Sequence, residues 1–394
     1  MSATQPSLTI VADDLTGAAD AAGGYGAAHS SAVVLGPDVP WPASDVLAVD
    51  TESRYLSDHD AAALVESVVR RSVSLGRPVF KKIDSLLRGN VGAEVAAALA
   101  ALSDTERGLA VVAPAFPGTG RTTVGGIVHV DGVANVDGDH AGDVAASLAT
   151  AGLQAGRLAP RPTDTPAELA AQLDRLHADG VDAVVLDAVT DADLETIARA
   201  SRLVTAPILV TGSGGLAAHM LPTGDATATT APLTRAVDRV LVVVGSYSGP
   251  ARSQIDELVR RGAEHVELRH RDDGEQAATD QIASATTDVV LTPDLGVPVD
   301  TGNALDVAAA LAATVARSAH RFGGLVLTGG ETARAVLDAL GVDSVRVHGN
   351  VEPGVVLSSH PDHRPVFVTK AGAFGDAGTL ARTVQALRQQ HTEQ

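Results

Sequence analysis

Short runs of apolar residues alternate along this chain with longer segments in which Ala, Leu and Val recur at helical spacing. Continuous apolar runs are typical of strands in a sheet that is covered on both faces. The alternation therefore predicts a parallel or mainly parallel α/β sheet. The predicted strands of the first part are Leu8–Ala12, Ser31–Leu35, Val46–Asp50, Val79–Ile83, Leu109–Ala113, Ala183–Leu186 and Ile208–Thr211, with helices over 16–28, 58–75, 91–102, 165–178 and 191–201.

The pattern breaks at residues 221–235, which are rich in Thr, Pro and Gly and show no periodicity, and this predicts a linker. The same alternation then restarts. Its predicted strands are Val240–Val244, Val289–Leu291, Leu325–Thr328 and Val366–Thr369, and its helices are 250–261, 302–318, 332–340 and 376–390.

Two domains follow from this division: a first domain over 1–222, a linker over 223–235 and a second domain over 236–394. A chain of 394 residues is long for one domain and comfortable for two. Within the first domain, Gly125-Gly126 and Asp131-Gly132 predict a β-hairpin over 123–136. The predicted fold class is thus α/β, with two domains, mainly parallel sheets and an inserted β-hairpin in the first.

Composition narrows the range of functions. A formal net charge of -19 argues against non-specific binding to nucleic acid, whose phosphates would be repelled. No apolar run approaches the roughly 20 residues that span a bilayer, so no membrane partner is expected. The absence of cysteine excludes disulfides and thiolate chemistry and fits a reducing cytoplasm, the expected location. The start of the chain shows no basic segment followed by an apolar core, so no signal peptide is expected.

The densest group of chemically capable side chains follows the predicted strand Val79–Ile83. Strand alternation places Lys82 and Asp84 on one side of the chain if the strand continues that far. Asp84 could deprotonate a hydroxyl, while Lys82 and Arg88 could neutralise a carboxylate and a transferring phosphoryl group. The alternative is an internal salt-bridge network, and the neighbouring Ser85 and Gly89 favour a site over it.

Three further turns follow predicted strands of the first domain. Asp13 and Asp14, with Thr16, follow the first strand, where adjacent carboxylates could orient hydroxyls, accept a proton or hold a cation; the alternative is helix capping, which explains one carboxylate better than two. Arg54 follows the third strand and offers a planar fork for a carboxylate, although a lone arginine there is usually solvated. Arg121 lies in a Pro/Gly turn that is equally well explained as a plain loop.

The second domain carries glycine-bearing turns at 245–249, 328–332 and 370–376. Unpaired N–H groups and the helix dipole make such strand-to-helix turns suitable for phosphate, although glycine often only permits the turn. Three of them in one domain favour a nucleotide cleft. The chain has no Gly-x-x-x-x-Gly-Lys-Ser/Thr loop and no Gly-x-Gly-x-x-Gly after its first strand, which excludes a P-loop enzyme and weakens a dinucleotide interpretation.

Taken together, these motifs resemble those of the four-carbon acid sugar kinases, a family once classed as a domain of unknown function. The resemblance covers nearly the whole chain. The matching motifs are Ala12–Ala18, Asp50–Arg54, Lys81–Asn90, Pro114–Arg121, Gly245–Ser248, Gly329–Thr332 and Lys370–Gly375.

The resemblance implies an N-terminal substrate domain, a C-terminal nucleotide domain and ATP-dependent phosphorylation of the terminal hydroxyl of threonate, erythronate or an oxo-tetronate. The residues expected to bind the sugar acid are Asp13, Asp14, Thr16, Arg54, Lys82, Asp84, Ser85, Arg88, Gly89 and Arg121. Those expected to bind ATP are Ser246, Ser248, Gly329, Gly330, Glu331, Thr332, Lys370, Gly372, Phe374 and Gly375.

In the expected mechanism ATP binds with Mg²⁺, the two domains close to exclude water, and positioning with charge neutralisation carries catalysis. Asp84 is the first candidate for the general base and Asp14 the second, while Lys82 or Arg88 stabilises the transferring group. Leu86 stands where the family commonly has Thr, and 134–145 is shorter than the usual loop, which leaves the substrate preference open. The motif Asp50–Arg54 looks more like that of threonate-type members.

Two other classes of function remain open. One is a sugar-acid sensor without catalysis, and the intact glycine turns of the second domain argue against it. The other is a nicotinamide-dependent oxidoreductase, and the missing dinucleotide motif argues against that. The metal ligands are unknown. The oligomeric state is also open, with a homodimer as one candidate.

Overall fold

A computed structural model describes residues 7–26, 28–138, 140–161, 163–222, 237–245, 249–269, 274–294, 304–372 and 374–389. The chain forms two compact units, of which the first comprises 1–22 and 36–224 and the second comprises 23–35 and 225–394. Residues 23–35 belong to the second unit, whereas the sequence-based division places them in the first domain, and the predicted linker over 223–235 lies outside the described residues.

A parallel sheet forms the centre of the first unit. Its strands are β1 (Leu8–Ala12), β3 (Val46–Asp50), β4 (Val79–Lys82), β5 (Leu109–Ala113), β9 (Ala155–Leu158), β10 (Ala183–Leu186) and β11 (Ile208–Gly212). Their order in the sheet is β3-β1-β4-β11-β5-β10-β9, and all neighbouring pairs are parallel.

The helices of this unit follow the strands, as parallel connections require. They are α1 (Leu15–Gly23), α2 (Asp58–Ser74), α3 (Val91–Leu102), α4 (Val144–Ala149), α5 (Pro166–Ala178), α6 (Asp191–Ser201) and α7 (Gly214–Ala217). Several begin at polar caps that the sequence supplies. Ser57 accepts a hydrogen bond from the N–H of Asp60, and the pair Thr165 and Glu168 forms a reciprocal capping box at α5.

The predicted hairpin is a three-stranded antiparallel sheet. It consists of β6 (Arg121–Val124), β7 (Ile127–Val130) and β8 (Val133–Ala134), with turns at the two glycine-containing sites that the sequence indicated. Its first strand starts at Arg121, a residue that the sequence analysis assigned to the preceding loop.

The second unit contains a mixed sheet. Its strands are β2 (Ser31–Val34), β12 (Val240–Val244), β13 (Glu264–Leu268), β14 (Val289–Pro293), β15 (Gly324–Thr328), β16 (Ser344–Glu352), β17 (Val355–Ser359) and β18 (Val366–Lys370). The order is β13-β14-β12-β15-β18-β17-β16-β2. Pairs from β13 to β18 are parallel, whereas β17, β16 and β2 join through antiparallel pairs.

The helices of the second unit are α8 (Gly249–Arg260), α9 (Gly274–Ser284), α10 (Ala304–Ser318), α11 (Gly330–Ala339) and α12 (Thr379–Gln389). The core between α8, α12 and the sheet is built from Val, Leu, Ile and Ala. Because aromatic residues make up only 2% of the chain, aliphatic side chains supply most of the buried apolar area in both units.

The apolar pattern of the sequence does not predict β9, β13, β16, β17, α4 or α9, and it extends the first helix to residue 28, whereas α1 ends at Gly23. A Cβ on Gly23 would lie within 3.3 Å of atoms of Asn350 and Val356, so the chain approaches its neighbours closely at this point. The end of α1 thus coincides with a close approach that glycine permits.

Candidate functional site

Strand register brings the turns of the first unit together. Ala12, the last residue of β1, pairs with Asp50 on one side and with Lys82 on the other. Lys82 pairs in turn with Gly212, and Gly212 with Ala113. The segments that follow these strands therefore leave the sheet side by side at its carboxyl edge, where ligands of open α/β sheets bind.

Arg54 is the centre of the charged group at this edge. Its Nε donates to Asp13 Oδ2 at 2.7 Å, and its Nη2 donates to Asp14 Oδ1 at 2.8 Å. Nη2 also lies 3.8 Å from Asp84 Oδ1. Arg54 is thus buried among three carboxylates; burial would lower its pKa, but Asp13, Asp14 and Asp84 raise it well above its ordinary value.

Asp84 forms a fork-like pair with Arg88. Arg88 donates from Nε at 3.0 Å and from Nη2 at 2.7 Å, and the backbone N–H groups of Leu86 and Arg88 also donate to Asp84. Burial opposes ionisation of Asp84, but Arg88, then Arg54 and Lys82, lower its pKa far below the ordinary value. Some of the charged residues after β4 therefore form an internal salt-bridge network, which is the alternative interpretation of this motif.

The pKa of Asp13 is also lowered. Burial by itself would raise it, but the ion pair and hydrogen bond with Arg54 outweigh burial, and Lys81 and Lys82 add to the effect. Asp13 Oδ1 is buried and has no hydrogen-bond partner among the described residues. A carboxylate oxygen in this state is an acceptor that remains available to a ligand donor.

The capping alternative holds for one of the two aspartates. Asp14 Oδ1 accepts from the N–H of Gly17 at 3.1 Å and thereby caps α1, while its Oδ2 accepts from the hydroxyl of Thr16 at 2.6 Å. Asp13 makes no such bond. Capping of α1 therefore explains Asp14, whereas it does not explain Asp13.

Asn90 connects the start of α3 with the loop after β3. It precedes α3 but makes no side-chain cap hydrogen bond there. Its Nδ2 instead donates to the carbonyl oxygens of Ser53 at 2.9 Å and Leu56 at 3.0 Å. Asn90 therefore fixes the loop that carries Arg54.

Lys82 is buried at the end of β4, and no ion pair of the described residues includes it. Its Nζ donates to the carbonyl of Ile83 at 2.8 Å. A Cβ on Gly17 would lie 2.9 Å from this Nζ and 2.5 Å from Asp14 Oδ1, so glycine at the start of α1 leaves the space that both groups occupy. An ammonium with unused donors at this edge suits an incoming anion.

The remaining residues predicted for the first unit lie at the same edge. Gly89 has φ +84° and packs against Asp13 and Arg54, where a Cβ would lie 3.3 Å from Asp13 Oδ2. Ser85 is buried in the turn after β4. Arg121 Nη1 donates to Thr119 at 3.0 Å, and burial lowers the pKa of Arg121 although Asp84 lies within electrostatic range.

A buried ion pair between Lys81 and Glu94, which the sequence does not predict, lies next to this charged group. Lys81 Nζ lies 2.7 Å from Glu94 Oε2, and neither side chain is more than 2% exposed. Glu94 also accepts from the hydroxyl of Ser53. The available signal was a lysine inside an apolar strand and a glutamate in an Ala/Val-rich helix, since buried charges need partners.

In the second unit the strand ends are again in register. Val244 of β12 pairs with Thr328 of β15, and Thr328 pairs with Lys370 of β18. Gly245, Gly329 and Ala371, the residues that follow these strand ends, therefore lie next to one another. Gly329 has φ +90°, precedes α11 and offers no side-chain cap to the first N–H groups of that helix. Gly330, Glu331 and Thr332 form the first turn of α11.

Lys370 is buried beneath the last of these turns. Its Nζ donates to the carbonyls of Ala371 at 2.9 Å and Gly372 at 3.2 Å, and burial lowers its pKa to about 8. Gln254 of α8, which the sequence analysis did not single out, donates to the carbonyl of Phe374 at 3.1 Å. Gly375 has φ +86° and lies against Thr379. Ser246 and Ser248 lie outside the described residues.

Within the described ranges, no group of three or more His, Asp or Glu side chains is arranged to hold a metal ion. No helix in that part of the chain combines the length and the apolar character that crossing a membrane requires.

Two family models match the chain: a sugar-binding N-terminal domain over residues 8–220 and a nucleotide-binding C-terminal domain over residues 241–380. The chain is 37% identical to a D-threonate kinase of Cupriavidus necator, with 97% of this chain and 98% of that protein covered. It is 36% identical to a D-threonate kinase of Bordetella bronchiseptica, with 98% of each covered. The chain belongs to the four-carbon acid sugar kinase family.

A solved structure of a protein from Salmonella typhimurium LT2 shares the fold, with a TM-score of 0.80 over 96% of this chain and 98% of that one at 22% identity. The sugar-binding model of the four-carbon acid sugar kinases spans every charged group described at the edge of the first sheet. The nucleotide-binding model spans the turns at Gly245, Gly329 and Ala371. The family assignment thus agrees with the two-domain α/β fold that the sequence predicted.

Proposed function

We propose that the chain is an ATP-dependent kinase that transfers a phosphoryl group to the terminal hydroxyl of a four-carbon sugar acid, with D-threonate as the first candidate substrate. The observation that carries the proposal is the group formed by Asp13, Asp14, Arg54 and Lys82 at the carboxyl edge of a sheet in the unit matched by a sugar-binding model. The preference for D-threonate rests on the identity to relatives of that name.

In this proposal the carboxylates bind the hydroxyl groups of the sugar acid and the cations bind its charge. Asp13 Oδ1 accepts no hydrogen bond from the part of the chain that the structure describes, so it is available to accept from a substrate hydroxyl. Lys82 has no ion pair among the described residues, so it is the first candidate for the substrate carboxylate. Ser85, Gly89 and Arg121 line the same edge, with Thr16 held by Asp14.

Asp84 remains the first candidate for the proton acceptor and Asp14 the second. The lowered pKa keeps Asp84 ionised and ready to accept, although Arg88 occupies both of its oxygens. In a loose phosphoryl-transfer transition state the acceptor hydroxyl gives up its proton late, so a weak base in the right place suffices. Arg88 would then stabilise the transferring group, and Lys82 would take this role only if another cation binds the substrate carboxylate.

ATP is assigned to the second unit, where the turns at Gly329 and Gly372 present backbone groups at strand ends. The N–H groups at the start of α11 suit phosphate oxygens. Mg²⁺ usually keeps several waters and binds through the phosphates and one or two carboxylates, so it needs no large cluster of protein ligands. It would arrive with ATP and neutralise developing charge on the phosphates.

An ADP-release assay with the full chain tests the function. The panel contains D-threonate, L-threonate, both erythronates and the oxo-tetronates, with glycerate and ribonate as outgroups. We expect D-threonate to give the highest kcat/KM, and mass spectrometry of the product to show one added phosphate. Binding of a sugar acid without any ADP release would favour the sensor alternative instead.

Lys370 gives a pH-dependent prediction. We expect the affinity for the non-hydrolysable analogue AMP-PNP with Mg²⁺ to fall by roughly tenfold between about pH 7.5 and about pH 9.5, because the ammonium of Lys370, whose pKa is about 8, loses its charge over this range. Calorimetry measures the affinity. Lys370→Met should bind more weakly at the lower pH and lose the pH dependence; an unchanged pH dependence in this variant would show that another group is responsible.

A further inference from the structure

We propose that Lys81, Glu94 and Ser53 are positioning residues that fix Arg54, and through it Asp13 and Asp14, in the sugar-acid site. The inference rests on the proposed kinase function. The three residues are buried next to the site, and none of them is among the groups assigned to the substrate.

Lys81 has no donor left for a ligand. Its three protons match three acceptors: Glu94 Oε2 at 2.7 Å, the carbonyl of Lys82 at 2.9 Å and the carbonyl of Val11 at 3.3 Å. The side chain is fully buried. Lys81 therefore connects the ends of β1 and β4, the strands that lead into Asp13 and Asp84.

Ser53 is held at two points. Its hydroxyl contacts Glu94 and lies 2.7 Å from the hydroxyl of Thr51, which in turn lies 2.8 Å from the carbonyl of Ala12. Its own carbonyl accepts from Asn90 Nδ2 at 2.9 Å. Ser53, the residue before Arg54, is thus anchored to β1 through Thr51 and to the start of α3 through Asn90 and Glu94.

The backbone next to Ser53 is unusual. Glu52 has φ +49°, a left-handed conformation that a residue other than glycine adopts rarely and that persists where its surroundings enforce it. The contacts of Ser53 with Thr51, Glu94 and Asn90 can hold the backbone at Glu52 in this conformation. Their loss should let Arg54 move relative to Asp13 and Asp14, the two carboxylates to which it donates hydrogen bonds.

A purely structural role would have different consequences. If the network only stabilised the fold, its loss would reduce the fraction of active protein, so kcat would fall while every KM stayed the same. Displacement of Arg54 would act on the sugar acid selectively. ATP, which is assigned to the other unit, should keep its KM.

Ser53→Ala removes one hydroxyl and leaves both charges of the ion pair in place. We expect kcat/KM for the sugar acid to fall by about tenfold or more, since a misplacement of about 1 Å can cost about a hundredfold. The KM for the sugar acid should rise and the KM for ATP should stay within about twofold.

Ser72→Ala is the matched control. Ser72 is a fully buried serine of the same unit, and its hydroxyl donates to Thr9 Oγ1 at 2.8 Å, near the opposite end of β1. It should lower stability without changing either KM. Asn90→Ala serves as a second test variant if Ser53→Ala does not fold, because Asn90 is half-buried and holds Ser53 through its carbonyl.

The outcomes separate the two proposals. An unmodified chain that phosphorylates no acid of the panel would refute the kinase function. An active chain whose Ser53→Ala and Asn90→Ala variants behave kinetically like Ser72→Ala would overturn the positioning role and leave the function intact. A selective rise in the KM for the sugar acid supports it. Non-additive effects of Ser53→Ala and Asp13→Asn on kcat/KM would further support action through Arg54.

Discussion

Asp84→Asn should lower kcat by about 10²- to 10⁴-fold, the range that a positioned proton acceptor contributes, and should change the KM for the sugar acid far less. The asparagine keeps the size of the side chain and one oxygen for the N–H groups of Leu86 and Arg88, so the turn after β4 should persist. Steady-state kinetics with saturating ATP measures the effect.

The pH profile adds a second criterion. A group with a lowered pKa is active when ionised and loses activity as the pH falls through that lowered value. Since the pKa of Asp84 lies far below the ordinary value, its protonation should leave kcat unaffected between about pH 5 and neutrality.

Asp104→Asn provides the control for Asp84→Asn. Asp104 also pairs with an arginine, Arg70, at 3.0 Å, but its side chain is exposed and lies away from the carboxyl edge of the sheet. Its replacement should leave both kinetic constants unchanged. Near-normal turnover of Asp84→Asn would remove Asp84 as the base, and the same measurement on Asp14→Asn would then test the second candidate.

Glu94→Gln should destabilise the first unit by about 3 to 5 kcal/mol, because it leaves the ammonium of Lys81 buried without a counter-charge. The hydrogen bond from Ser53 to the side chain can survive in the variant, so the charge is the main loss. Urea unfolding followed by circular dichroism measures the free energy of unfolding.

The double variant Lys81→Met with Glu94→Gln distinguishes this cause from a general loss of packing. It removes both buried charges, so we expect it to be more stable than Glu94→Gln alone. Glu66→Gln is the control on the surface, since Glu66 pairs with Arg70 while both side chains are half-exposed, and it should unfold almost like the unmodified chain. A Glu94→Gln variant as stable as Glu66→Gln would show that the buried pair is energetically unimportant.

Many elements of the fold could be predicted from the sequence because their signals are local. The strands Leu8–Ala12, Val46–Asp50 and Leu109–Ala113 and the helix Val91–Leu102 have the bounds that hydrophobic periodicity indicates. The elements that were missed lack such a signal. In β13 and β16, for example, polar and charged residues interrupt the apolar pattern, and pairing with neighbouring strands makes them strands.

The residues that form the site could be predicted from the sequence, but the pairs that their side chains form could not. Charged residues after apolar strands indicated the carboxyl edge, because parallel strands end together there. The pairing of Arg54 with Asp13 and Asp14 spans about forty residues of sequence and depends on the order of the strands in the sheet, which residue spacing does not give. The same holds for Asn90, whose side chain donates to the carbonyls of Ser53 and Leu56, more than thirty residues earlier in the chain.

By itself the sequence determined the alternation of strands and helices, the glycine turns and the family motifs, because these depend on residue types and short-range spacing. Only the tertiary structure decided that residues 23–35 pack with the second unit, that Lys81 pairs with Glu94 and that Ser53 is anchored next to Arg54. These features depend on which distant segments meet and exclude water, since a buried charge or hydroxyl must take its partner from whatever packing brings within reach.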